Sequence, residues 1–122
     1  MAKDLKITFL LDFYGELLTA PQREMIEAYY NEDLSLAEIA EERAISRQGV
    51  RDAVKRGEQQ LLEMEERLGL VKRFREMHEA LANICDCALE ILGRCDESSP
   101  EIAQNAEQIL VLAKEIAEKE NR

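Results

Sequence analysis

The chain has 122 residues, 46% of them apolar, with two prolines and five glycines, which excludes a disordered tail and leaves room for one cored domain or a small domain with an appendage. Sixteen basic against 26 acidic side chains give a net charge of −10, a total that by itself argues against a polyanionic partner. No apolar run approaches ~20 residues, and the acid-bearing start MAKDLKITFLLDFYGELL lacks a cleavage site, so the sequence predicts no membrane span and no export signal, and three cysteines then read as reduced thiols in a cytoplasm.

Ala, Leu, Glu, Gln and Arg dominate over β-branched residues, and the apolar spacing is helical throughout, so the predicted class is all-α. Ile7, Leu10, Leu11, Tyr14, Leu17 and Leu18 predict a first helix from about Asp4 to Leu18. Thr19-Ala20-Pro21-Gln22 reads as a T-x-x-Q capping box with proline in the first turn, opening a second helix that carries Met25, Ile26, Tyr29 and Tyr30. Asn31-Glu32-Asp33 is a polar break. Ser35 with Glu38 forms an S-x-x-E box before a short third helix, Leu36 to about Glu42, which offers Leu36, Ile39 and Ala40 to the core.

Arg43-Ala44-Ile45 is the next turn, and Ser46 is an N-cap candidate for a fourth helix that begins Arg47-Gln48-Gly49-Val50. Ile45 is placed to staple across that cap onto Val50. Val50, Val54, Gly57, Leu61, Met64 and Leu68 alternate by four and three, which predicts a helix to Leu68 of about 33 Å, with Gly69 as its C-cap. Short helix, tight turn and longer basic helix make the helix-turn-helix pattern, whose second helix can enter a DNA major groove.

Helical spacing resumes at once with Val71, Phe74, Met77, Leu81, Ile84, Ala88, Ile91 and Cys95. Ser98-Ser99-Pro100-Glu101 combines a capping box with a helix-start proline, and Ile102, Ala106, Ile109, Ala113 and Ile116 predict a last helix that closes a C-terminal hairpin. Leu110 and Leu112 widen its apolar face, a surplus best covered by a second copy of the chain. The predicted organisation is a helix-turn-helix domain over 1–69 and a helical extension over 70–122 that closes the core and mediates homodimerisation.

The distribution of charge reverses the first impression. Residues 1–42 hold three basic and ten acidic side chains, residues 43–75 nine and five, and residues 76–122 four and eleven, so the segments carry −7, +4 and −7. The one basic block coincides with the fourth helix. Arg47, Gln48 and Arg51 have the donor geometry to read guanine and adenine edges. Lys55, Arg56 and Arg43 suit phosphates, as do Lys72 and Arg73 further on. Asp52, among them, repels phosphate unless it is paired. The competing reading is a solvated basic face laced by i,i+4 pairs.

Cys85 and Cys87 lie about 200° apart on a helix and cannot easily share a metal; Cys95 is ten residues beyond Cys85, and His78, seven residues before Cys85 on the same stripe, leaves a site barely conceivable, so no metal or cofactor is expected. No Ser/His/acid set, phosphate loop or paired-carboxylate pocket can be drawn, and no enzyme is expected.

Residues 19–66 resemble the last DNA-binding domain of bacterial sigma factors, region four. The closer resemblance is to the YlxM family of small helix-turn-helix proteins, carried by LLDFYGELLT (10–19), EDLSLAEIAE (32–41), ISRQGVRDAVKR (45–56) and LVKRF (70–74). It implies a sigma-region-four-like bundle with a helical extension, and a regulatory role in the signal recognition particle pathway. The matching recognition-helix positions are Ser46, Arg47, Gln48, Val50, Arg51, Asp52, Lys55 and Arg56. Two positions depart from the pattern. Ala44 stands where glycine is frequent, so the turn either avoids the left-handed region or strains to reach it. Gly49 stands where alanine is frequent, which loosens the helix by about 0.5–1 kcal/mol. The expectation is a non-enzymatic nucleic-acid-binding regulator, DNA or RNA, with an accessory factor that meets signal recognition particle protein or RNA without binding DNA as the rival.

Overall fold

The computed structural model describes residues 3–120 and is helical throughout, with no strand among them. Helix α1 is Lys6–Tyr14, α2 Ala20–Tyr30, α3 Leu36–Arg43, α4 Arg47–Leu68, α5 Leu70–Arg94 and α6 Pro100–Glu120. The chain divides into two compact units between Val71 and Lys72.

The first unit is built around α4, which packs against α1, α2 and α3. Ile7, Leu10, Leu11, Tyr14, Leu18, Met25, Ile26, Tyr29, Ile39, Ala40, Val50, Ala53, Val54 and Leu61 form one buried cluster. The α1 helix is shorter than its spacing suggested. It stops at Tyr14, and Gly15–Leu17 is a 3-10 turn. That tighter winding, about 120° per residue, slips the phase, so Leu18 turns inward and Leu17 is left exposed. Thr19 then caps α2, its Oγ1 accepting Gln22 N–H at 3.4 Å, while the threonine hydroxyl donates to Gln22 Oε1 at 3.2 Å. The expected reciprocal box is therefore closed side chain to side chain.

Two glycines shape α4. At Gly57 the helix runs so near Ile26 that a Cβ would stand 2.0 Å from Ile26 Cδ1. At the far end Gly69 adopts φ 63°, and α5 begins with the next residue. The first N–H groups of α5 are capped from the first unit. Leu70 N donates to Tyr14 Oη at 2.9 Å, and Val71 N donates to Glu65 Oε1 at 3.0 Å, which also accepts the Tyr14 hydroxyl at 2.6 Å. A second tyrosine–carboxylate pair, Tyr30 Oη to Glu58 Oε1 at 2.6 Å, ties α2 to α4.

The turn between α3 and α4 resolves the question posed by Ala44. It is left-handed, φ 55° and ψ 42°, and its N–H closes back on Ala40 and Glu41 carbonyls. An L-residue with a Cβ pays about 1–2 kcal/mol there. Glycine at this position removes the strain and adds back part of it as unfolded-chain entropy. Ala44→Gly is therefore expected to raise the unfolding free energy by about 0.5–1 kcal/mol, read as a higher urea midpoint at unchanged slope.

The second unit consists of the rest of α5 and α6, linked through residues 95–99. Its buried side chains are only part of the line that the spacing selected. Leu81 and Ala88 of α5 and Ala106 and Ala113 of α6 are buried, but Ile84 and Ile91 are 45% and 40% exposed, and Ile102, Ile109 and Ile116 are 53%, 39% and 44% exposed. The inward line of α6 is Ala103, Ala106, Leu110, Ala113 and Ala117. Both apolar arcs are wider than one contact can cover. In α6 the alanines take the inward line and the isoleucines lie along one edge of it, partly exposed. Ser98 does not form the predicted box with Glu101. Its hydroxyl and N–H both turn to Asp96, and α6 starts at Pro100.

Candidate nucleic-acid interface

The helix-turn-helix is α3, the left-handed turn at Ala44, and the first turns of α4. Both helix starts are closed locally. Glu38 N donates to Ser35 Oγ at 3.1 Å and Ser35 N donates to Glu38 Oε1 at 3.2 Å, the full reciprocal box. Ser46 Oγ accepts Gly49 N–H at 3.0 Å. A Cβ at Gly49 would lie 3.2 Å from that same Oγ, so glycine gives the cap room that alanine would crowd. Ile45 is 44% exposed, so it does not bury itself across the cap, although its Cδ1 lies 3.8 Å from that Cβ position.

Ile39 and Ala40 of α3 meet Val50, Ala53 and Val54 of α4 in the buried core, which commits one side of α4 inward. At about 100° per residue the opposite arc runs Arg47, Arg51, Lys55, Gln48, Asp52, Arg56. All six are exposed. Arg47, Arg51, Lys55 and Arg56 make no ion pair with any described residue. The i,i+4 ion pairs of the competing reading are not formed by these four cations. Its one internal bond is neutral on one side: Gln48 Nε2 donates to Asp52 Oδ1 at 2.9 Å. That i,i+4 pair was open to reading from spacing alone, since Asp52 needed a partner and Gln48 is one turn back.

The remaining expected contacts fall elsewhere. Arg43, at the end of α3, has its guanidinium in an ion pair with Glu24 of α2, so it acts as a strut between two helices rather than a free phosphate ligand. Ser46 is used as a cap, which leaves its hydroxyl hydrogen and one lone pair to offer outward. Lys72 and Arg73 belong to the second unit, where Lys72 approaches Glu76 at 4.0 Å. Beside α3 a shallow groove is lined by Tyr29, Leu34, Ser35, Leu36, Glu38 and Arg47, with Lys3 lying 4.5 Å over the Tyr29 ring and paired to Asp33. That pairing holds the Asp33 carboxyl below its usual range.

Cys85, Cys87 and Cys95 are free, and among the described residues no three His, Cys, Asp or Glu side chains gather as a metal site would require. No described helix is long and apolar enough to cross a membrane.

The sequence matches those of known proteins. The family model UPF0122, described as "Putative helix-turn-helix protein, YlxM / p13 like", matches residues 1–91. The chain is 50% identical over 114 residues to a UPF0122 protein of Thermoanaerobacter sp. (strain X514), a match covering 93% of each. A UPF0122 protein of Caldanaerobacter subterraneus subsp. tengcongensis is 54% identical over 83 residues, 68% of this chain and 71% of that one. One from Symbiobacterium thermophilum is 46% identical over 94 residues, 77% of this chain and 84% of that one.

Proposed function

Because the chain belongs to the YlxM/p13-like helix-turn-helix family, we propose that it is a non-enzymatic regulatory protein of the cytoplasm that binds nucleic acid through the exposed arc of α4. The observation that carries this reading is the set of uncommitted cations on a capped helix, in a chain with 26 acids available to pair them. Arg47, Gln48 and Arg51 read base edges, and Lys55 and Arg56 hold phosphates. The exposed isoleucines of α5 and α6 serve to pair two copies, so that two recognition helices meet half-sites about 34 Å apart.

Titrating the full chain with duplex DNA and with structured RNA across a salt series tests this. Arg51→Ala is expected to weaken binding about tenfold at selected sequences only, whereas Lys55→Ala lowers affinity evenly and reduces the salt slope by about one. Salt-independent retention, or none at any salt, overturns the reading.

A second reading, an accessory factor that meets signal recognition particle protein or RNA, is favoured by the −7 charge of each flanking segment, which suits a basic partner. Recovery of a particle subunit with no DNA retained at physiological salt would decide for it.

A further inference from the structure

Within the first three turns of α4 Asp52 is the one acid on the exposed arc, and it makes no ion pair with any described residue. Lys55 and Arg56 stand three and four residues on, the positions from which an aspartate on a helix is ordinarily met. Its carboxylate instead accepts from the Gln48 amide at 2.9 Å. Near phosphate an unneutralised carboxylate is repelled, so Asp52 has no use at the backbone and a cost if placed there.

The bond has a directional consequence. An ionised carboxylate can only accept, so the NH2 end of Gln48 must face Asp52 and Oε1 must face away. One N–H is spent on Asp52. The other N–H and Oε1 remain, a donor and an acceptor side by side on one amide. Adenine presents the complementary pair in the major groove, an N7 acceptor and an N6 amine donor. Guanine presents two acceptors, N7 and O6, and would set O6 against Oε1. Without Asp52 the amide can turn over and offer either end.

We propose that Asp52 is a positioning residue that fixes the orientation of Gln48 so that the recognition helix selects adenine over guanine at one base pair of duplex DNA. This rests on the nucleic-acid reading above and deepens it. It also assigns the acid on a basic face a role that charge alone does not explain.

The test uses the full chain and a pool of duplexes with a randomised core, followed by matched duplexes that differ only by A·T or G·C at the selected pair. Parent protein, Gln48→Ala, Asp52→Asn and Asp52→Ala are compared, with helicity by circular dichroism as the folding check. Gln48→Ala and both Asp52 variants are expected to lose about tenfold in adenine-over-guanine preference at the same single pair. Asp52→Asn and Asp52→Ala are at the same time expected to bind random duplex more tightly than the parent, since a repulsive charge is gone. A merely structural aspartate would lower all binding together. Binding by Asp52→Asn with the preference unchanged overturns the proposal alone. Absence of binding by the parent at low salt overturns the reading on which it stands, and the proposal with it.

Discussion

Replacing Glu65 by alanine is expected to lower the unfolding free energy by about 2–4 kcal/mol, a large fraction of what a small domain has. Two donors converge on its Oε1, the Tyr14 hydroxyl at 2.6 Å and the Val71 N–H at 3.0 Å. Tyr14 is 1% exposed, so its hydroxyl cannot turn to water when the acceptor is removed. Each buried donor left unsatisfied costs about 1–3 kcal/mol. Glu65→Gln keeps an acceptor and should cost less, and Tyr14→Phe removes donor and acceptor together and should fall between. Denaturant midpoints of the three variants check the order. The same pair has a pH signature. Burial, and then the hydrogen bond to Glu65, push the Tyr14 hydroxyl above its ordinary value of 10.0, and Tyr30 moves the same way through burial and Glu58. A pKa raised on folding means the stabilisation is complete below pH 10 and is lost as pH climbs through the folded-state values. Stability should therefore fall on the alkaline side, less steeply in Tyr14→Phe.

Gly57→Ala is expected to destabilise by about 1–3 kcal/mol although alanine is the better helix former by about 1 kcal/mol. The added methyl would stand 2.0 Å from Ile26 Cδ1 and 3.2 Å from its Cγ1, and Ile26 is completely buried. Ile26→Val deletes the offending Cδ1 and alone should cost about 0.5–1.5 kcal/mol. The double variant should then be more stable than Gly57→Ala alone. A coupling energy near zero in the double-mutant cycle would show that α2 and α4 part instead of clashing.

Much of this was legible in the sequence because the signals are local. Caps need only a few residues, so Ser35 with Glu38, and Ser46, could be placed from spacing, as could the inward side of α4. The resemblance to the YlxM family over residues 10–74 agrees with the family model and its relatives. The errors have non-local causes. Periodicity cannot register the 3-10 turn at Gly15, after which Leu18 is buried as the spacing expects but Leu17 is left exposed. In α5 and α6 the spacing picked one line of residues, of which Leu81, Ala88, Ala106 and Ala113 are buried while the isoleucines beside them stay partly exposed, because which edge of a wide apolar arc turns inward depends on fit, not on hydrophobicity. Arg43 looked free because Glu24, which holds it, is nineteen residues away.

The bare cations of α4 have one more consequence. Arg47, Arg51 and Lys55 follow one another at four-residue steps with nothing between them, and like charges so spaced raise the energy of a helix by a few tenths of a kcal/mol per pair. The folded chain thus holds a small electrostatic tension before any ligand arrives. Dissolved salt, which loosens helices laced by ion pairs, relaxes this one, and an approaching phosphate chain discharges the tension as it docks.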